Sequence, residues 1–267
     1  MHCNLLKRRY GLDMSRASPP IPDLVDTALF FDLDGTLVEI AARPELVAIS
    51  DDLRSLLAGA QKRVNGALAI VSGRSIADLD QLLAPLRLAT AGIHGLELRP
   101  RADAEVLSVS GQVMPESVRA RLDKLAAEHP ELLLEYKGES AAVHYRQAPE
   151  LAEQVHAVTS ALLQELGQEF RLQPGKMVME LRPSQGDKGQ AISTLMAQPP
   201  FAGRRPLFIG DDVTDEAGFT AVNELQGWSV FVGEPDWSSQ AQYRLADVAA
   251  VGRWLKLIAS AKELSTE

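Results

Sequence analysis

The stretch Phe30-Phe31-Asp32-Leu33-Asp34-Gly35-Thr36 limits what this chain can become more than any other. Residues 28–31 are an unbroken apolar run, which reads as a strand covered on both faces. The run stops at two carboxylates, a glycine and a threonine. Open α/β sheets keep their chemistry in the crevice beyond the carboxyl ends of their strands. Asp32 and Asp34 therefore stand where a phosphate or a metal could sit. Taken alone, the pattern also fits half of a calcium loop or an Asx-capped turn; the strand before it and the lack of a bidentate glutamate speak against the loop.

The segments on either side alternate strand and helix. Ser50-Asp51-Asp52 is an N-cap with acids in the first turn, and Leu53, Leu56, Leu57 and Ala60 give that helix an apolar stripe. Residues 67–71 predict a second buried strand ending at Ser72-Gly73-Arg74, residues 75–83 a helix, and residues 88–93 a strand leading to His94-Gly95. That alternation means a parallel sheet with crossover helices. Near Pro100 the pattern changes. A strand at 106–109 and a helix from Pro115 to about 129 come first. Strands at 132–137 and 141–146, a helix from Pro149 to 166, and strands at 170–172 and 177–182 follow. The first pattern then returns, with a helix at 187–197 carrying Lys188 and a strand at 207–210 ending in Asp211-Asp212-Val213-Thr214-Asp215-Glu216. A strand at 228–232 and a helix at 252–262 close the chain. We read residues 25–99 and 183–267 as one α/β domain, interrupted by an α+β domain at 100–182. Residues 1–24 read as a disordered arm, because Pro19, Pro20 and Pro22 exclude regular structure.

Composition removes several function classes. With 46% hydrophobic and 24% charged residues, the chain is an ordinary globular protein of one or two domains. A net charge of -9 argues against binding nucleic acid. Cys3 is the only cysteine, so no internal disulfide or cysteine-based zinc site can form, which suits the cytoplasm. No apolar run approaches the ~20 residues of a spanning helix. Lys7, Arg8 and Arg9 are followed by no long apolar stretch, so they do not open a signal peptide, and Met14 is a candidate start. A monomer is the default expectation.

Four clusters fall at strand ends or a helix start: Asp32/Asp34, Ser72, Lys188 and Asp211/Asp212/Asp215. Each has a plainer reading by itself: Ser72 as an N-cap, Lys188 as a solvated helix residue, Asp215 as a helix N-terminal charge. Together they resemble the haloacid-dehalogenase superfamily. The resemblance implies a Rossmann-like core with a parallel sheet and an inserted α+β cap. It also implies that Asp32 attacks phosphorus and becomes an aspartyl phosphate, and that Asp34 serves as acid and then base. Ser72, Gly73 and Lys188 would bind phosphate. Mg2+ would be held by Asp32, the Asp34 carbonyl and the acids after the last core strand, with Asp211 first, Asp212 directly or through water, and Asp215 on metal or on Lys188.

The stretches FFDLDGTLVEI, VSGR, AGIHGLE, VHYRQAP, GKMVMELRP, DKG and GDDVTDE narrow the resemblance. They are similar to the trehalose-6-phosphate phosphatase family over about residues 27–258. That family implies Mg2+-dependent hydrolysis of trehalose 6-phosphate and a cap that closes over the disaccharide. In the inserted domain, side-chain alternation sets Met177, Met179 and Leu181 against Lys176, Glu180 and Arg182. It likewise sets Leu134 and Tyr136 against Glu135 and Lys137, and Val143 and Tyr145 against His144 and Arg146. The resemblance makes Lys176 and Glu180 the first candidates for sugar contact, followed by Glu135, Lys137, His144, Arg146, Arg74, His94 and Glu97. Asp187 departs from the pattern, where serine is more usual. Other readings are a phosphatase for another sugar phosphate such as sucrose 6-phosphate, a phosphomutase, or a non-enzymatic sugar-phosphate sensor. Retention of Asp32, Asp34, Ser72, Lys188 and Asp211 in one chain argues against the sensor.

Overall fold

Strand β1 (Thr27–Phe31) is buried along its whole length. Its TALFF sequence lacks alternation, as expected of a parallel strand buried on both faces. The computed structural model describes residues 18–109 and 111–260. After β1 come α1 (Asp51–Arg63), β2 (Leu68–Val71), α2 (Ile76–Leu83), β3 (Ala89–Gly92) and β4 (Glu97–Arg99). Ser50 and Ser75 cap the two helices, accepting from Leu53 N and Asp78 N.

The chain then enters a second compact unit, Leu107–Gly186. It holds β5 (Leu107–Ser108), α3 (Glu116–Glu128), β6 (Leu133–Lys137), β7 (Ser140–His144), α4 (Ala152–Leu166), β8 (Phe170–Gly175) and β9 (Val178–Pro183). The first unit resumes at Asp187 with α5 (Lys188–Met196), β10 (Arg205–Gly210), α6 (Glu216–Glu224), β11 (Trp228–Val232), β12 (Tyr243–Leu245) and α7 (Val248–Ser260).

In the first unit the strands lie in the order β12-β11-β10-β1-β2-β3-β4, parallel except for β4, which pairs antiparallel with β3. Chain order reverses across β1: β2 lies on one side of it and β10 on the other. The crevice between β1 and β10 is thus a topological switch point. The core under it includes Phe30 stacked on Phe201 at 5.3 Å and Phe208 against Phe219 at 5.3 Å. In the second unit the order is β6-β7-β9-β8, all antiparallel. Val143, Met179, Leu181 and Phe170 pack there with Val118, Leu122, Val155 and Leu162 of α3 and α4.

Several expected boundaries move. The units divide at Val106/Leu107 and Gly186/Asp187, not at 99/100 and 182/183. A cut at 182 would split β9 and part Arg182 from Gly186 O, to which its Nη2 donates at 2.6 Å. The strand expected from 177 starts at Val178. Lys176 and Met177 form the tip of a hairpin closed by the Gly175–Val178 pair, with Met177 at φ 64°. Tight hairpins usually announce themselves with Asn-Gly or Gly-Gly, and this tip carries neither. Likewise β7 ends at His144, so Arg146 lies beyond it. The arm expected over 1–24 is partly outside the described residues, as are Cys3, the basic run and Met14. Residues 18–24 have no regular structure, yet Pro19, Pro22 and Leu24 are buried. Prolines remove backbone donors without preventing apolar burial.

An unforeseen feature is Arg99, wholly buried on β4. It donates through both Nη atoms to Asp80 at 2.6 Å, and through Nε to Leu88 O at 3.1 Å. Hydrogen bonds from Arg99 hold the Asp80 carboxyl below its usual range. A depressed folded value contributes stability that is present above the unfolded value of 3.8 and is lost as pH falls through the folded one. Asp80→Asn leaves a buried guanidinium without its counter-charge and is expected to cost about 3 kcal/mol at neutral pH, read from urea unfolding. The gap to wild type should close as pH falls below 3.8.

Candidate active site

Asp32 directly follows β1 and Asp211 directly follows β10, and the two strands are paired with Phe31 opposite Ile209. Both acids therefore emerge at the same sheet edge, where Asp32 N donates to Ile209 O at 2.9 Å. Asp32, Asp211 and Asp215 are all buried, and each offers an oxygen within 4.8 Å of the others. Lys188, 2% exposed, opens α5 and places Nζ 2.9 Å from Asp32 Oδ1 and 2.6 Å from Asp215 Oδ1.

Local sequence explains these positions. Asp187, where the resemblance leads one to expect serine, caps α5 by accepting from Gln190 N at 2.8 Å, a role that either side chain can fill. Gly189 lets α5 meet Ala217 O; a Cβ there would lie 2.4 Å from it. Asp215 Oδ2 accepts from Asp211 N at 3.0 Å and Asp212 N at 2.9 Å. Thr36 Oγ1 donates to Asp211 Oδ1 at 3.2 Å. Gly35 has φ +86°, and a Cβ on it would fall 2.1 Å from Asp211 Oδ2. Only glycine fits both that conformation and that contact.

Burial pushes the Asp32 carboxyl well above its usual range; Lys188 opposes this, while the charges of Asp215 and Asp211 add to it. Burial pulls the Lys188 ammonium down, but Asp215 and Asp32 outweigh that and hold it above the ordinary lysine range. Three dry carboxylates thus face one ammonium. Buried charge of one sign is costly unless it is neutralised, and clustered carboxylate oxygens are the donors that hard divalent cations prefer. The residues present fit such an ion.

The other candidates separate by environment. Asp34 is half-buried and turns both oxygens to Arg74, at 2.7 and 2.8 Å. Ser72 is buried, and its Oγ accepts from Arg74 N at 3.2 Å. Gly73 lies under the His94 ring, with a built Cβ 2.6 Å from Nε2. Ile93, His94 and Gly95 are all left-handed, an unusual run that presents His94 there. Glu97 Oε2 accepts from Ile76 N at 2.7 Å and is spent on the start of α2. Asp212 accepts from Val213 N and forms a capping box with Asp215, so its carboxylate starts a helical turn and lies outside the acidic cluster. In the second unit, Glu135, Ala142, Glu180 and Gln173 form a cross-strand row. His144 Nε2 is 3.0 Å from Glu135 Oε2. Lys137 ends β6, and Arg146 Nη2 donates to Lys176 O at the exposed hairpin tip. Sequence reasoning gave Thr36 no role and left Asp215 open. The threonine of DGT and the four-residue spacing from Asp211 were the available signals.

A family model described as trehalose-phosphatase matches residues 30–249. The chain belongs to the trehalose-phosphatase family. Relatives include the trehalose-6-phosphate phosphatase of Escherichia coli K12, 39% identical over 240 residues, covering 90% of this chain and 89% of that one. The probable trehalose-phosphate phosphatase of Sinorhizobium fredii NGR234 is 41% identical over 219 residues, covering 82% of each. The C-terminal domain of Candida albicans trehalose-6-phosphate phosphatase shares the fold, with a TM-score of 0.75 at 22% identity, over 92% of this chain and 99% of that one. This is the haloacid-dehalogenase arrangement, a Rossmann-like core with an inserted unit, and the family's members are phosphoric monoester hydrolases.

A carboxyl raised by burial costs stability as pH climbs from its unfolded value, 3.8 here, towards its folded one. Asp32→Asn removes that cost. With divalent ions chelated at neutral pH, this variant is expected to melt above wild type by calorimetry, and adding Mg2+ should shrink the difference.

Proposed function

We propose that this chain hydrolyses trehalose 6-phosphate to trehalose and phosphate, with Mg2+ as its metal. The observation that carries the reading is Lys188, buried and bonded at once to Asp32 and Asp215 in a chain of this family. Asp32, Asp211 and the Asp34 carbonyl would hold the ion, which supplies the positive charge that lets a carboxylate approach a phosphate. Asp215 fixes Lys188 and the Asp211 and Asp212 amides, so it shapes the site from beneath.

Asp32 attacks phosphorus and forms an aspartyl phosphate as the bond to the sugar oxygen breaks. Asp34 gives that oxygen a proton, then takes one from the water that opens the phosphoenzyme. Lys188 Nζ stabilises charge on Asp32 and on phosphate. Ser72 and Gly73 receive phosphate oxygens beside it. On the second unit's sheet, Glu135, His144, Glu180, Lys137, Lys176 and Arg146 are the proposed sugar-recognition surface, and His94 is a further contact from the first unit. Such groups, left unpaired, penalise substrates that lack the matching hydroxyls.

A phosphate-release panel tests the reading. Trehalose 6-phosphate should be turned over with Mg2+ and not with chelator, and glucose 6-phosphate and sucrose 6-phosphate far more slowly. Equal turnover of glucose 6-phosphate would defeat the disaccharide assignment. Asp32→Asn should lower kcat by ~10³-fold or more with folding intact. Glu180→Ala should raise KM for trehalose 6-phosphate by about 10-fold while p-nitrophenyl phosphate, which has no sugar, is cleaved as before.

A further inference from the structure

Arg74 meets Asp34 with two parallel donors, Nε to Oδ2 at 2.7 Å and Nη2 to Oδ1 at 2.8 Å. Its third nitrogen, Nη1, donates to Pro44 O at 3.2 Å. The backbone of the same residue is tied down as well: Arg74 N donates to Ser72 Oγ at 3.2 Å, and Arg74 O accepts from Ile93 N at 2.8 Å. The side chain is 13% exposed, against 31% for Asp34. All three guanidinium nitrogens are thus engaged within the first unit, between the loop after β1 and the loop after β2. A sugar ligand would instead aim its fork at hydroxyls.

We propose that Arg74 is a positioning residue that holds Asp34 in place for proton transfer, and that it is not a ligand of the sugar. The inference rests on the phosphatase reading above. A carboxylate on a loop can swing and rotate. A planar fork fixes both its direction and its plane, whereas an ammonium fixes only one point. Each Asp34 oxygen keeps a second lone pair outside the fork, and that position can carry the proton toward the ester while both contacts to the guanidinium stay in place. The proton passes from Asp34 to the sugar oxygen as the phosphorus–oxygen bond breaks. It is replaced by one from water as water oxygen bonds to phosphorus and the Asp32–phosphorus bond breaks. Arg74 gains and loses no proton. A displacement of ~1 Å in such a group costs about 100-fold in rate.

The test uses Arg74→Lys, Arg74→Gln, Asp34→Asn and the double variant Arg74→Lys with Asp34→Asn. Steady-state turnover and the rapid-quench first turnover are measured on trehalose 6-phosphate and on p-nitrophenyl phosphate, whose leaving group departs without a proton. Both Arg74 variants should lose roughly 10- to 100-fold in kcat on the sugar ester, with KM within about 3-fold of wild type. First-turnover nitrophenolate release should stay within about 3-fold of wild type, and Arg74→Lys should add no further loss to Asp34→Asn. A raised KM with kcat retained would make Arg74 a sugar ligand. Equal losses on both esters, or additive losses in the double variant, would leave it only structural; either result overturns the proposal. If wild type cleaves other alkyl phosphates but not trehalose 6-phosphate, the substrate reading falls, and the same comparison on the accepted alkyl ester still decides the role of Arg74.

Discussion

An ammonium sealed among carboxylates at the edge of the central sheet sets the terms for the rest of the first unit. Taking a lysine and its partners out of water costs several kcal/mol per ion, recovered only where the geometry is tightly held. The surroundings of Lys188 supply that hold. β1 and β10 lie side by side in register, so two acids from distant parts of the chain emerge together. Gly35, Gly189 and Gly210 have no side chain where a Cβ would strike Asp211, the Ala217 carbonyl or Asp215. Thr36 and two backbone amides fix the orientation of Asp211 and Asp215. With three acids around one ammonium, the site is left short of positive charge. That shortage favours a divalent cation, and only with such an ion in place would an anionic ester be drawn in rather than repelled.

Buried polar groups serve different ends in the two units. Arg99 is locked by Asp80, Leu88 O and Thr90 Oγ1, and so ties β4 to α2 and β3. In the second unit, Arg171 and Arg182 both donate to Gly186 O, at 3.0 and 2.6 Å, and so secure the chain just before Asp187 and Lys188. Glu180 lies in the same face of that sheet but in a row with Glu135 and Ala142, whose methyl leaves room between two carboxylates. Arginines spent on carbonyls build the unit. The acids and His144 on its polar face are the groups proposed to meet the sugar.

Local physics was readable wherever a few neighbouring residues carry the whole signal. The apolar run before Asp32, the Ser50 cap and the strand Trp228–Val232 stand where expected because propensity, capping and burial agree there. Motif spacing was enough to single out Asp32, Lys188 and Asp211, which the structure brings together at one sheet edge. It did not reveal β4 or β12, three-residue strands whose pairing partners hold them in place. Nor did it reveal the hairpin tip at Lys176, where register overrides turn propensity.

By itself, then, the sequence determined the chemistry: which residue types end the core strands, and hence that this is an aspartate-based phosphatase. Only the tertiary structure decided where each of several neighbouring acids points. One helical turn carries Asp215 inward to Lys188 and leaves Asp212 as a cap. The pairing of β1 with β2 brings Arg74 onto Asp34, forty residues away, where the resemblance alone had offered it as a sugar-contact candidate. Spacing along a chain sets which groups are available. Direction in space depends on packing between elements far apart in sequence, and no local pattern encodes it.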